Sequence, residues 1–262
     1  MQVFIPDSGK YVYNNLNHCF DIYIILKKIG DVLMSTLTGF LPSSCGFKFG
    51  NSFPHVPLKK IKVLGQQIPI GNASYGLCGG MIYAVMDYFE AKMPIPSNLT
   101  APSTGPLFEY IVNRQIDSFH LPLGLMKYMV LMNPFLPDQE TKARKIGVAP
   151  HGRAWRMMKE EWPRIKKDLD NGKLSPLGLV RVKSLNPFEI RRHHQVLAYG
   201  YDLNESNLTI YIYDPNFPND DQVTISLNFG KPESTTSVLH SKSSDPIYIF
   251  FRTDYKFKRP IA

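Results

Sequence analysis

A thiol, an imidazole and a carboxylate stand in this chain in an order that could do chemistry together. Cys78 lies within Gly76-Leu77-Cys78-Gly79-Gly80, His194 heads His194-Gln195-Val196-Leu197-Ala198-Tyr199-Gly200, and Asp214 opens Asp214-Pro215-Asn216. Only the thiolate is a good sulfur nucleophile; an imidazole within hydrogen-bond reach stabilises it as an ion pair, and a helix N-terminus adds partial positive charge. A carboxylate behind the imidazole fixes its orientation and stabilises its cation. Those three groups together would move an acyl group through a thioester. Taken singly, a cysteine at a helix start is more often a small buried hydrophobe, and a strand histidine more often satisfies a local hydrogen bond. The joint pattern carries the inference.

Two elements must position these groups. After Cys78, the residues Met81, Ala84, Val85, Tyr88 and Phe89 recur at helical spacing, which predicts an amphipathic helix over 78–92 beginning at the cysteine. From His194, the β-favouring Val196, Leu197, Tyr199 and Tyr201 lead to a polar turn at 202–207 and a second apolar run, Leu208 to Tyr213. This is a hairpin that sets the head of one strand, His194, beside the end of the other, Asp214. Adjacent residues on a strand face opposite sides, so His193 cannot share the site with His194 and is expected at solvent or an interface.

These residues resemble the papain-like cysteine peptidase superfamily, and in particular bacterial branches such as the peptidase domains of bacteriocin-exporting transporters. In that superfamily a glutamine six positions before the nucleophile donates to the oxyanion, a glycine stands two before it, and the histidine opens a His-x-Val-x-x-x-Gly-Tyr strand. Asn72, Gly76, Cys78 and His194 to Tyr201 occupy those positions here. The run Leu169-Asp170-Asn171-Gly172-Lys173 into Leu177–Val182 is similar to the helix, glycine cap and strand that precede the histidine strand. The likeness spans about residues 70–252. Asn72 is shorter than the family's glutamine, though its amide carries the same donors. Gly79 replaces a common tryptophan, Asp214 stands for papain's asparagine, and the Asn-Ser-Trp-Gly signature is absent. Phe53-Pro54 and the Asp-Pro-Asn-x-Pro strand end also resemble uncharacterised bacterial proteins, which brings no function.

The resemblance implies an α+β, papain-like two-lobed fold: a helical lobe over about 71–172 carrying the nucleophile, packed against an antiparallel β-lobe over about 173–253. It implies a cysteine-dependent hydrolase of the peptidase or amidase type, a thiol protease in the broad sense, acting on a peptide, amide or acyl substrate. Cys78, His194, Asp214 and Asn72 would be its catalytic residues, with Asn72 and the Cys78 N–H facing the oxyanion. Gly79 and Gly80 leave little bulk to shield the first helical turn, which favours water as acceptor. An acyltransferase of transglutaminase type has the same triad, and an inactive papain-like scaffold would be a binding module.

Around this centre, 262 residues with 44% hydrophobic content suffice for one buried core and exclude a disordered chain. Residues 34–262 are expected as a single domain. Residues 1–33 read as a dispensable extension, because Met34 offers an alternative start. The segment 40–70, rich in Gly and Pro, suggests an extended arm. Further helices are expected at 105–118 and 123–132, with a stripe of Trp155, Met158, Trp162, Ile165 and Leu169 that Pro163 kinks or restarts. Strands are expected at 177–183, 194–201, 208–213, 223–227 and 247–252.

Three cysteines, Cys19, Cys45 and Cys78, form an odd set without metal spacing, which argues against a disulfide framework and for a reducing, cytoplasmic compartment. The N-terminus lacks a basic-then-apolar signal pattern, and no apolar stretch reaches membrane-spanning length. No cofactor or metal is called for: the 214–221 oxygens lack a calcium-loop pattern, and Cys78 with His193-His194 lacks a further zinc ligand. Residues 142–192 hold fourteen Lys or Arg against five Asp or Glu. This predicts a basic surface for an acidic partner, but no motif supports nucleic acid.

Overall fold

The computed structural model describes residues 24–27, 33–53, 60–63, 66–69, 76–140, 150–228, 230 and 237–261. Its order is β1 (Ile24–Lys27), β2 (Leu33–Leu37), α1 (Pro42–Cys45), β3 (Lys60–Val63), β4 (Gln66–Pro69), α2 (Cys78–Glu90), α3 (Gly105–Ser118) and α4 (Leu123–Met132). There follow α5 (Arg153–Arg156), a π turn (Met157–Glu161), α6 (Trp162–Asp170), β5 (Ser175–Val180) and a 3-10 turn (Pro187–Arg192). The chain then runs through β6 (His194–Asn204), β7 (Asn207–Tyr213), β8 (Thr224–Asn228), β9 (Val238–His240), β10 (Ser243–Ile247) and β11 (Ile249–Arg252). The fold is mixed α+β.

Nine strands among the described residues make one antiparallel sheet, and β6 is its spine. One edge of β6 is shared: β5 pairs with its first half, from Leu179 opposite His194 to Ser175 opposite Ala198. The expected extension reaches the same edge, since β1 pairs with β2, and β2 pairs with the second half of β6, Leu37 opposite Gly200. β7 takes the other edge, then β8, β9 and β10 in order, while β11 pairs with β5. β3 and β4 form a separate hairpin within the segment expected as an arm.

At β5 and the head of β6 the sheet is buried on both faces, which is why the head of β6 reads as a nearly continuous apolar run. Val196 and Ala198 point into one core with Ile165, Leu169 and Leu177; Leu197 and Tyr199 point into the other with α2 and Phe40. A bulge between Ala198 and Gly200 breaks the two-residue alternation, so Tyr201 lies in the first core although Tyr199 lies in the second. Gly200 is small where β2 passes close by: a Cβ there would sit 2.7 Å from the Thr36 carbonyl oxygen. Beside the first core, the helix of the tryptophan stripe passes through a π turn and restarts at Trp162 with Pro163 in its first turn.

A buried polar knot ties the C-terminal segment across α2 and α3. Asp87 accepts hydrogen bonds from Tyr110 Oη (2.7 Å), Tyr255 Oη (2.8 Å) and the Lys258 N–H (2.9 Å). Arg114 lies against it, with Nε 2.7 Å from Oδ2 but poorly aligned, and Nη2 donating to Oδ1 at 3.2 Å. Burial raises the Asp87 carboxyl despite these partners. The pair is costly to assemble and costlier to break, because one charge would remain buried alone.

One sequence expectation changes here. Cys45 is disulfide-bonded, its partner lying outside the described residues, against the reading of the odd cysteine count; Cys78 is free. Within the basic stretch, Arg153 and Lys183 pair with Asp138, Lys166 with Asp170, Arg181 with Asp245 and Arg192 with Glu189. No described helix is long and apolar enough to cross a membrane.

Helix α2 crosses α3 at Gly80, where a Cβ would stand 2.1 Å from the Ile111 carbonyl oxygen. That oxygen belongs to a helix and cannot step aside. Gly80→Ala should therefore destabilise the chain by about 1–3 kcal/mol, read as a lower urea midpoint. An unchanged midpoint would mean that α3 moves freely.

Candidate active site

Helix α2 begins at Cys78, as the periodicity of its apolar face predicts. Its entry is held by Asn51. Gly76 adopts φ +85°, and a Cβ there would lie 2.4 Å from Asn51 Nδ2. The Leu77 N–H donates to Asn51 Oδ1 at 2.6 Å, Asn51 Nδ2 donates to Asn216 Oδ1 at 3.2 Å, and the Asn51 N–H donates to the Pro215 carbonyl at 2.9 Å. One asparagine thus locks the start of α2 to the turn that carries Asp214.

His194 is the first residue of β6, and Asp214 follows β7 directly. The register of the hairpin, Leu197 opposite Tyr213, brings them together as expected. His194 Nε2 lies 2.7 Å from Asp214 Oδ1, with both side chains almost wholly buried. The Asn216 N–H also donates to Oδ1, at 2.8 Å, closing an Asx turn that fixes the carboxylate. Burial by itself would lower the His194 pKa. The charge and hydrogen bond of Asp214, joined by a hydrogen bond and the charge of Cys78, outweigh burial and raise it to about 10. For Asp214 burial would raise the carboxyl, but the His194 charge and hydrogen bond hold it well below the usual carboxylate range, aided by His240 and the Asn216 N–H. The structure therefore joins Cys78, His194 and Asp214. Asn72 lies outside the described residues.

Several neighbours carry no simple sequence signal. His240 Nε2 lies 3.0 Å from Asp214 Oδ2. Gln195 donates to Ser118 Oγ at 3.2 Å, and its own Oε1 is buried without a partner. Arg181 has its pKa lowered by burial, partly offset by the negative charges of Asp214 and Cys78, which places its guanidinium near both. It lines a cavity of about 180 Å³ with His194, Asp214, Asn216, His240 and Lys242.

Two expectations about neighbours fail. His193 is not a solvent residue: its ring stacks on Tyr128 with centroids 5.3 Å apart, and its Nδ1 accepts from the Arg181 N–H at 3.2 Å. Burial lowers its pKa to about 4, so the ring is neutral and structural. Gly79 and Gly80 do not open the first helical turn to solvent. Both are buried, and a Cβ on Gly79 would lie 2.1 Å from Ser118 Oγ. They are small so that α3 and Gln195 can pack against them.

No protein-family model matches the chain, and neither does any curated protein or solved structure.

The His194–Asp214 pair has a definite pH signature. A histidine raised above its unfolded value contributes stability fully below about pH 6.5 and loses it as pH rises towards about 10. A depressed carboxylate contributes above about pH 4 and loses its part as pH falls through its lowered folded value. Nitrogen-15 shifts of His194 should thus stay those of an imidazolium from pH 5 to 9. In Asp214→Asn the same ring should become neutral at lower pH. A wild-type ring that titrates near 6.5 would show the pair to be unformed.

Proposed function

We propose that this chain is a cysteine-dependent hydrolase of peptidase or amidase type, with Cys78, His194 and Asp214 as a triad in a papain-like arrangement of helical and β lobes. The observation that carries this reading is a buried imidazole held by a carboxylate at one nitrogen and hydrogen-bonded to the only free cysteine among the described residues. A histidine serving packing alone would not be surrounded by groups that favour its cation.

In the reaction, the Cys78 thiolate adds to a substrate carbonyl carbon, forming a C–S bond and moving the carbonyl electron pair onto oxygen. The Cys78 N–H at the head of α2 would donate to that oxyanion, with Asn72 as the second donor implied by sequence position. The oxyanion collapses, the bond to the leaving nitrogen or oxygen breaks, and the His194 imidazolium gives the leaving group its proton. Water then attacks the thioester and passes a proton to His194; the C–S bond breaks and returns the thiolate–imidazolium pair. Asp214 stays ionised throughout and holds the ring.

Transfer to an amine uses the same residues, and the buried glycines remove the solvent-access argument for water. Products decide the acceptor. A reactive acyl ester, followed by mass with and without millimolar primary amine, should yield mainly free acid in both mixtures. Cys78→Ala should lose at least about a hundredfold in turnover while staying folded. Amide as the main product at low amine would make the chain a transferase. Full turnover in Cys78→Ala would end the cysteine-enzyme reading and leave a binding module.

A further inference from the structure

We propose that His240 is a positioning residue of this site, donating from Nε2 to Asp214 Oδ2 so that Oδ1 remains on His194. The inference rests on the triad reading above and extends it to a fourth group, giving a His–Asp–His chain.

The geometry fixes the direction of each hydrogen bond. The Lys242 N–H donates to His240 Nδ1 at 3.1 Å, so Nδ1 must present a lone pair and the ring proton sits on Nε2. Nε2 then donates to Asp214 Oδ2 at 3.0 Å, which a carboxylate accepts. The ring cannot slip aside easily. It is 3% exposed, lies beside the Phe217 ring at 5.8 Å, and ends β9, where it faces Ile225 of β8 in register.

Each oxygen of Asp214 therefore has its own task. Oδ1 takes His194 and the Asn216 N–H, while Oδ2 takes His240. Without His240, Oδ2 would be left buried and unpaired, and the carboxylate could gain a proton or turn away from His194. The other charged groups near Asp214 do not replace this bond. Arg181, on the cavity wall, pairs with Asp245; Lys242 pairs with Asp220; and Cys78 interacts with His194. A protonated Asp214 no longer stabilises the His194 imidazolium, so loss of the bond acts on Cys78 reactivity from the acid side.

The test uses the full chain and needs no substrate. Iodoacetamide labelling of Cys78 is followed from pH 3.5 to 8 in wild type, His240→Gln and His240→Leu, with near-ultraviolet circular dichroism reporting the fold. Glutamine keeps an N–H donor and should retain the wild-type profile. Leucine should move the acid limb up by about one pH unit, so that labelling at a pH on that limb falls about tenfold. A folded His240→Leu protein with an unshifted limb overturns the role of His240 and leaves the triad standing. Wild-type Cys78 no faster at pH 5 than in the denatured chain overturns both. Nitrogen-15 spectra of wild type provide a readout independent of variants: the Nε2–H tautomer of His240 is expected, and the opposite tautomer refutes the proposal whether or not His240→Leu folds.

Discussion

A buried charge pair governs this structure. His194 and Asp214 are each about as buried as the leucines around them, and a lone ion there would be strongly disfavoured. Each is tolerable only because the other stands 2.7 Å away and because the remaining carboxylate oxygen is also bonded. The fold must therefore deliver both side chains together. It does so by local means, since β6 and β7 are joined by a tight turn and their register leaves Asp214 one residue beyond Tyr213.

Cys78 comes from the other side of the molecule and is brought to this pair by longer connections. Asn51 joins the α2 entry to the Asp214 turn, spanning 26 residues in one direction and 165 in the other. At its far end α2 is held by the Asp87 knot, through which the C-terminal segment crosses α2 and α3. Tyr83, one turn into the helix from Cys78, adds a bond to the Asp254 carbonyl at 2.6 Å. These restraints hold α2 at both ends, which suits a site assembled from side chains far apart in the chain.

What could be read from the sequence was whatever repeats with a local period. The α2 apolar face, the β6–β7 hairpin and the helices α3 and α4 follow from spacing, and the meeting of His194 and Asp214 follows from the hairpin. His240 and Asn51 could not be read, because each acts on a residue far along the chain and sits in a short strand or turn without periodicity. His193 misled for a related reason: alternation says that it faces away from His194, but not that Tyr128 is waiting there. The Gly79-Gly80 pair misled because a missing side chain means open space on a surface and close contact in a core. Burial, which distinguishes the two, is a property of the tertiary fold.

The glycines also show how the separation of thiol and imidazole is set. The Gly80 N–H, one of the unpaired donors at the head of α2, gives its hydrogen to Gln115 Oε1 at 2.8 Å. The carbonyl of the same Gln115 takes Ser118 Oγ at 2.8 Å, and Ser118 Oγ takes Gln195 Nε2 at 3.2 Å. Gln195 is the residue after His194. A short polar chain thus runs from the turn that bears the nucleophile, through α3, to the strand that bears the imidazole, in a space that a Cβ on Gly79 would occupy. Because β6 alternates its faces, Gln195 can anchor the strand on the α2 side while His194 is turned to Asp214. The strand is fixed by one residue while its neighbour holds the carboxylate.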